Sequence, residues 1–262
     1  MAEKAQGIGY DPAKNYDEGT MAQQRQIEKE IADQQSLIGV VEDFSGLEME
    51  YSGDEIYQQK LQDLKTKYKN MRRTRGDGNC FFRAFGFAYL EILLRDAMEC
   101  KRFKKYASKT KDELVSLGFP SFTIEDFHEV FMEAVNKVAN QCSLESLLET
   151  FNDQGYSDYL VVYLRLLVSG YLQREAEFFQ HFIEGDRTVK EFCNQDVEPM
   201  GKESDHIHIT ALTSACSVPV RVQYMDRGDN KHVNAHDFPE GSQPSVHLLY
   251  RPGHYDILYP LT

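Results

Sequence analysis

Cys80, His254 and Asp256 are the residues whose types and spacing could do chemistry together. Cys80 follows Gly76-Asp77-Gly78-Asn79 and precedes Phe81-Phe82-Arg83-Ala84. Two glycines around an aspartate make a loop open to backbone angles closed to other residues, and good helix formers come behind it. A cysteine there sits at a helix start, where unpaired N–H groups and the positive end of the helix dipole favour a thiolate. The same N–H groups could hold a developing oxyanion. Such a nucleophile needs a base. His254 opens a strand behind Arg251-Pro252-Gly253, and Asp256 stands two residues on, so strand alternation turns both side chains to one face. The carboxylate could hold the imidazole tautomer and stabilise its cation, as the third member of a triad does. A cysteine picked at random more often packs in a core, and His-x-Asp pairs arise by chance. The coincidence of the pair with the Gly-Asp-Gly-Asn loop is what carries the reading.

The elements that must position these groups follow from periodicity. Phe81 to Leu90 is apolar nearly all round and predicts a helix through the core, a rigid pedestal for the thiol. Ile56, Tyr57, Leu61, Leu64 and Tyr68 predict an amphipathic helix before it. Lys60 to Arg75 carries seven Lys or Arg and one Asp, which reads as a solvated basic helix face more readily than as a docking patch. Further helices are expected over 96–117, from a Thr123 cap to about Asn140, from Ser143 to Phe151, over 157–181, from a Thr188 cap, and from a Ser204 cap to Ala215. The period then changes: Val218 to Met225, Val246 to Tyr250 and Tyr255 to Tyr259 read as strands. Pro252 and Gly253 suit the central positions of a type II turn, which makes a hairpin of the last two. A helical N-terminal two-thirds with a small antiparallel sheet at the C-terminal end is an α+β fold.

Composition bounds the function. With 262 residues and no repeat or low-complexity linker after residue 55, one large domain behind an N-terminal extension is the simplest count. Residues 1–20 read as disordered, 21–54 as an extension whose helix over 21–35 has too thin an apolar stripe to stand alone and reads as loosely packed or partly disordered, and 55–262 as the catalytic domain. A net charge of -13 argues against nucleic acid and suits a basic protein partner. Five irregularly spaced cysteines without a CxxC pair argue against a disulfide framework and a zinc site. Cys100, Cys142, Cys193 and Cys216 read as structural thiols, and His232 and His236 lack a third metal ligand. No metal or other cofactor is expected. Met1-Ala2-Glu3-Lys4 begins no apolar leader, and no stretch reaches the ~18 apolar residues of a membrane span. A monomer in the cytosol, with the nucleus as a further compartment, is the expectation.

Asp77-Gly78-Asn79-Cys80 followed by Phe and Arg resembles the nucleophile motif of the ovarian-tumour-domain cysteine proteases. Thr123 to His128, Ser157 to Arg165, Lys202 to His208 and Tyr250 to Asp256 are similar to the otubains within that group, and the resemblance runs from about Tyr57 to Tyr259. It implies a papain-like fold of the ovarian-tumour type and hydrolysis of isopeptide bonds in polyubiquitin, with preference for lysine-48-linked chains. Cys80 would attack the carbonyl after the last glycine of ubiquitin, His254 would move the proton and Asp256 would orient His254. Asp77, by its place in the motif, would shape the loop that presents N–H groups to the oxyanion; carboxylate support of the imidazole is its other open role. Partners implied are ubiquitin, polyubiquitin and ubiquitin-conjugating enzymes, and the resemblance implies in turn that the helix at 21–35 orders on binding ubiquitin or another partner. A competing reading from another class is a binding module that blocks conjugating enzymes without using its thiol, through the helix at 21–35. A general papain-like protease lacks support, since no Cys-Gly-Ser-Cys-Trp run exists. Phe82 stands where close relatives are expected to carry Tyr, a change that keeps the ring and should spare the chemistry.

Overall fold

A computed structural model describes residues 35–228 and 231–261. The expectations for 1–20 and for the helix at 21–35 fall outside that range, Gln35 apart. The compact unit begins at Leu37, not at residue 55. Strand β1 (Ile38–Glu42), helix α1 (Ser45–Glu50) and helix α2 (Glu55–Lys65) lead into strand β2 (Tyr68–Thr74) and the core helix α3 (Cys80–Leu93). Four further helices follow, α4 (Ala97–Ser116), α5 (Ser121–Ala139), α6 (Leu144–Asn152) and α7 (Gln154–Arg174). Short turns α8 (Ala176–Phe179) and α9 (Val189–Phe192) precede α10 (His206–Cys216), β3 (Val220–Tyr224), β4 (Asn234–Phe238), β5 (Val246–Arg251) and β6 (His254–Pro260).

Capping fixes several of these ends. Asp96 accepts from the Glu99 amide, Ser143 from Ser146 and Thr188 from Glu191, so α4, α6 and α9 begin where the sequence placed them. Two caps differ. α5 starts at Ser121 behind Pro120 with no side-chain cap bond, so Thr123 lies inside the helix. Asp205, not Ser204, caps α10, and His208 completes the capping box. The expected helix over 157–181 starts at Gln154 and stops at Arg174.

The fold is α+β, but its sheet is larger and mixed. Six strands run in the order β1-β2-β6-β5-β3-β4. β3 and β5 pair in parallel and every other pair is antiparallel. Two strands come from the N-terminal part of the chain, so the sheet is not confined to the C-terminal end. Alternation along β5 and β6 splits the core. Leu248, Tyr255 and Ile257 join the main cluster under α3, while Leu249 and Leu258 face a smaller cluster with Leu47, Leu61 and Met71 beneath α1 and α2. α3 is buried at every position except Ile92.

The basic run is a solvated face only in part, because Lys60 and Arg72 are buried. The Lys60 ammonium is wholly buried and donates to the Asp226 backbone and carboxylate at 2.7 and 2.9 Å. Lys65 pairs with Glu48, Arg73 with Glu42 and Glu50, and Arg72 with Glu91. These pairs tie α1 to α2, β2 to β1 and α1, and β2 to α3, while Lys65, Lys67 and Lys69 still meet solvent.

Candidate active site

The hairpin turn places the base. Gly253 has φ +74°, as the third position of a type II turn requires, and Arg251 pairs across it with His254. His254 Nε2 lies 2.9 Å from Asp256 Oδ1 on the same strand face. The Asp256 carboxylate is fully buried and also accepts from the Thr74 amide at 2.9 Å and Arg251 Nη2 at 2.8 Å. Thr74 Oγ1 donates to the Tyr255 carbonyl, so the strand leading to the nucleophile loop is tied to the strand carrying the base.

With Nε2 committed to Asp256, Nδ1 is the nitrogen left for the thiol. A Cβ added to Gly76 would stand 3.5 Å from Nδ1, so the nucleophile loop passes that edge of the ring. Burial opposes a charge on His254, but the Asp256 hydrogen bond and the hydrogen-bonding Cys80 sulfur outweigh it and lift the imidazole to about 9. Burial likewise opposes the Asp256 charge, and His254, Arg251 and the Thr74 amide overcome it, holding the carboxyl below its usual range. The site thus favours an imidazolium at neutral pH, poised to release its proton late in the reaction.

Cys80 is the first residue of α3 and only 3% exposed. A nucleophile so enclosed meets a thin, extended chain end more readily than a folded surface. Asp77 does not touch the imidazole. Its carboxylate accepts from the Asn79 amide at 2.9 Å and is gripped by Arg83 Nη1 at 2.9 and 2.8 Å. These contacts fit the loop-shaping expectation, and none of them goes to the imidazole. Arg83, wholly buried, also reaches Ser157 and Asp158 on α7.

Thr74, Arg83 and Arg251 had no role in the sequence reading. Each lies in or beside the motif stretches, which was the available signal, but spacing alone pairs none of them with its partner. Other titratable groups are structural. His208 is buried in the α10 cap, and His206 stacks on Tyr224 at 5.4 Å. Burial pushes the Cys193 and Cys216 thiols up to about 12. Among the described residues no cluster could hold a metal ion, and no helix is long and apolar enough to cross a membrane. A cavity of about 710 Å³, bordered by Phe178, Phe182, Arg187, Glu203 and His206, opens next to the site. Its rim residue Glu203 would lie 3.1 Å from a Cβ on Gly253, the neighbour of His254.

Three comparisons bear on this arrangement. The family model described as Peptidase C65 Otubain matches residues 30–260. Human "Ubiquitin thioesterase OTUB1" is 62% identical over 245 residues, 93% of this chain and 90% of the relative. An h/ceOTUB1 structure with ubiquitin aldehyde and UBC13~Ub superposes with TM-score 0.89 at 36% identity, covering 95% of this chain and 100% of that one. The corresponding complex with UBCH5B~Ub gives TM-score 0.88 at 37% identity over 94% and 99%.

Proposed function

The chain belongs to the otubain family of peptidases, and from that premise we propose that it is a cysteine deubiquitinase that hydrolyses isopeptide bonds in polyubiquitin, lysine-48-linked chains foremost. One observation carries the reading: an imidazole held by a buried carboxylate turns its free nitrogen to a cysteine at a helix N-terminus. The thiolate adds to the carbonyl carbon after the last glycine of ubiquitin, and the π pair moves onto oxygen. Collapse expels the lysine amine, which takes the proton held by His254, and leaves a thioester on Cys80. Water, deprotonated by His254, then releases ubiquitin and the thiol. Asp256 keeps the ring oriented throughout, and Asp77 shapes the loop under Arg83. A carboxyl terminus of two glycines fits an approach as narrow as the one to Cys80. The neighbouring cavity, with Phe178 57% and Phe182 62% exposed, offers an apolar footing for the body of ubiquitin.

Incubation with a panel of differently linked ubiquitin dimers tests the reading. The wild-type chain should cleave them, lysine-48-linked dimers fastest, and Cys80→Ser should bind them without cleavage. Full activity of Cys80→Ser would sink the mechanism.

A second role, obstruction of ubiquitin-conjugating enzymes by occupancy, draws support from the OTUB1 complexes, which hold UBC13~Ub or UBCH5B~Ub beside ubiquitin aldehyde. It requires no thiol.

A further inference from the structure

The nucleophile loop is fastened from behind by a cation that the triad does not use. Arg165, in the middle of α7, is wholly buried, and its hydrogen bonds all go to neutral acceptors. Nη1 donates to the Val197 carbonyl at 2.9 Å. Nη2 meets the Gly78 carbonyl at 3.0 Å, Asn79 Oδ1 at 2.9 Å and the Lys202 carbonyl at 2.7 Å. The guanidinium lies over the Phe82 ring, 4.6 Å from its centroid. Burying a charge without a counter-ion is costly, and a merely mechanical latch would not require it. Burial pulls the group down to about 10, while Asp77 and Cys80 are among the groups that pull it back up.

The contacts converge on peptide orientation. In a trans peptide the carbonyl and the N–H point opposite ways. Asn79 Nδ2 holds the Asp77 carbonyl at 3.4 Å, which turns the Gly78 N–H to the other side. The Arg83 amide takes the Asn79 carbonyl at 3.0 Å, which turns the Cys80 N–H likewise. The Asn79 N–H is spent on Asp77. Gly78 and Cys80 are therefore the loop amides left to receive an oxyanion. The Asn79 side chain is itself pinned by Arg165 Nη2 and by the Gly201 amide at 2.9 Å.

We propose that Arg165 is a positioning residue for acyl transfer: through the Asn79 side chain, which holds the Asp77 carbonyl, it turns the Gly78 N–H to the oxyanion, and through the Gly78 carbonyl it fixes the peptide that joins this donor to the Cys80 N–H. The inference rests on the cysteine-peptidase reading and adds to it a residue outside the triad.

The test uses Arg165→Lys and Asn79→Ala in the full chain, singly and together. Four readouts are compared: kcat and KM on a ubiquitin C-terminal fluorogenic amide, affinity for ubiquitin aldehyde, and the rate of Cys80 alkylation by iodoacetamide. The aldehyde adduct places an oxygen where the oxyanion forms, whereas alkylation displaces iodide at a saturated carbon and develops no oxyanion. Each variant should lose roughly 10–100-fold in kcat and a similar factor in aldehyde affinity, with KM and alkylation within about 2-fold of wild type. The double variant should be no worse than the weaker single. A folded variant with unchanged kcat overturns the proposal, as does a fall in alkylation and a rise in KM that track kcat. If Arg165→Lys does not fold, Asn79→Ala decides by the same readouts. An inactive wild-type chain would instead overturn the peptidase reading itself.

Discussion

Asp256 serves His254, Thr74 and Arg251 through two oxygens, so exchanging its carboxylate for an amide alters more than one bond. The raised pKa of His254 depends on that carboxylate, because burial alone drives the ring the other way. The wild-type chain should keep its imidazolium, and with it the proton for the departing amine, until the pH passes about 9. Above that, cleavage of ubiquitin dimers should fall. In Asp256→Asn the charge that raises the ring is gone, so the alkaline limb should move to lower pH and dimer cleavage at neutral pH should drop at least ~10-fold. A pH profile of kcat/KM for both proteins checks the sign; an unmoved alkaline limb contradicts it. The sequence disclosed the His-x-Asp pair because strand alternation is local. It was silent on Thr74 and Arg251, whose amide and guanidinium finish the carboxylate's hydrogen bonding from another strand and from across the turn. Arg83→Met should show what such hidden partners contribute. Removing the Arg83 guanidinium leaves Asp77 half-buried with one partner fewer, and the expected cost is roughly 1–3 kcal/mol of stability by chemical denaturation.

Between residues and fold, the helices were readable where a cap or an apolar stripe marks them, as at Asp96, Ser143 and Thr188. Strands fared less well. β2 hides its period in a run of charges, since Arg72 is buried against Glu91 and Lys69 is not. β4 reads Asn-Ala-His-Asp-Phe, a composition that signals a loop, and becomes a strand only because β3 offers it a free edge. The parallel β3-β5 pair has no local signature at all. The loop before α3 depends on Gly78 in two ways. Its φ is +73°, and a Cβ there would stand 2.1 Å from the Gly201 carbonyl oxygen. Gly78→Ala must therefore separate the nucleophile loop from the 201–202 segment. The expected result is a loss of about 1–3 kcal/mol in stability together with a fall of at least ~10-fold in kcat, whereas Gly53→Ala, with open space around it, should do neither. Thermal melts alongside dimer cleavage distinguish the two.

For the molecule as a whole, catalysis and obstruction of ubiquitin transfer should separate. Deleting residues 1–35 leaves the unit from Leu37 intact and should spare hydrolysis of a fluorogenic ubiquitin amide within about 2-fold, while inhibition of a charged conjugating enzyme falls at least ~10-fold. Cys80→Ser should do the reverse. Equal inhibition by the truncated and full chains would remove residues 1–35 from that role.

The bond from Thr74 to Asp256 crosses β2 and β6, strands far apart in the chain; β6 carries the imidazole, and β2 leads into the loop that ends at the thiol. A molecule in which β2 and β6 have not yet paired carries both reagents and cannot fire. Labelling by an electrophilic ubiquitin should accordingly count native molecules, and its loss in rising urea should coincide with the loss of circular dichroism. Labelling that outlasts the far-ultraviolet signal would mean that the weapon is loaded before the chain is finished.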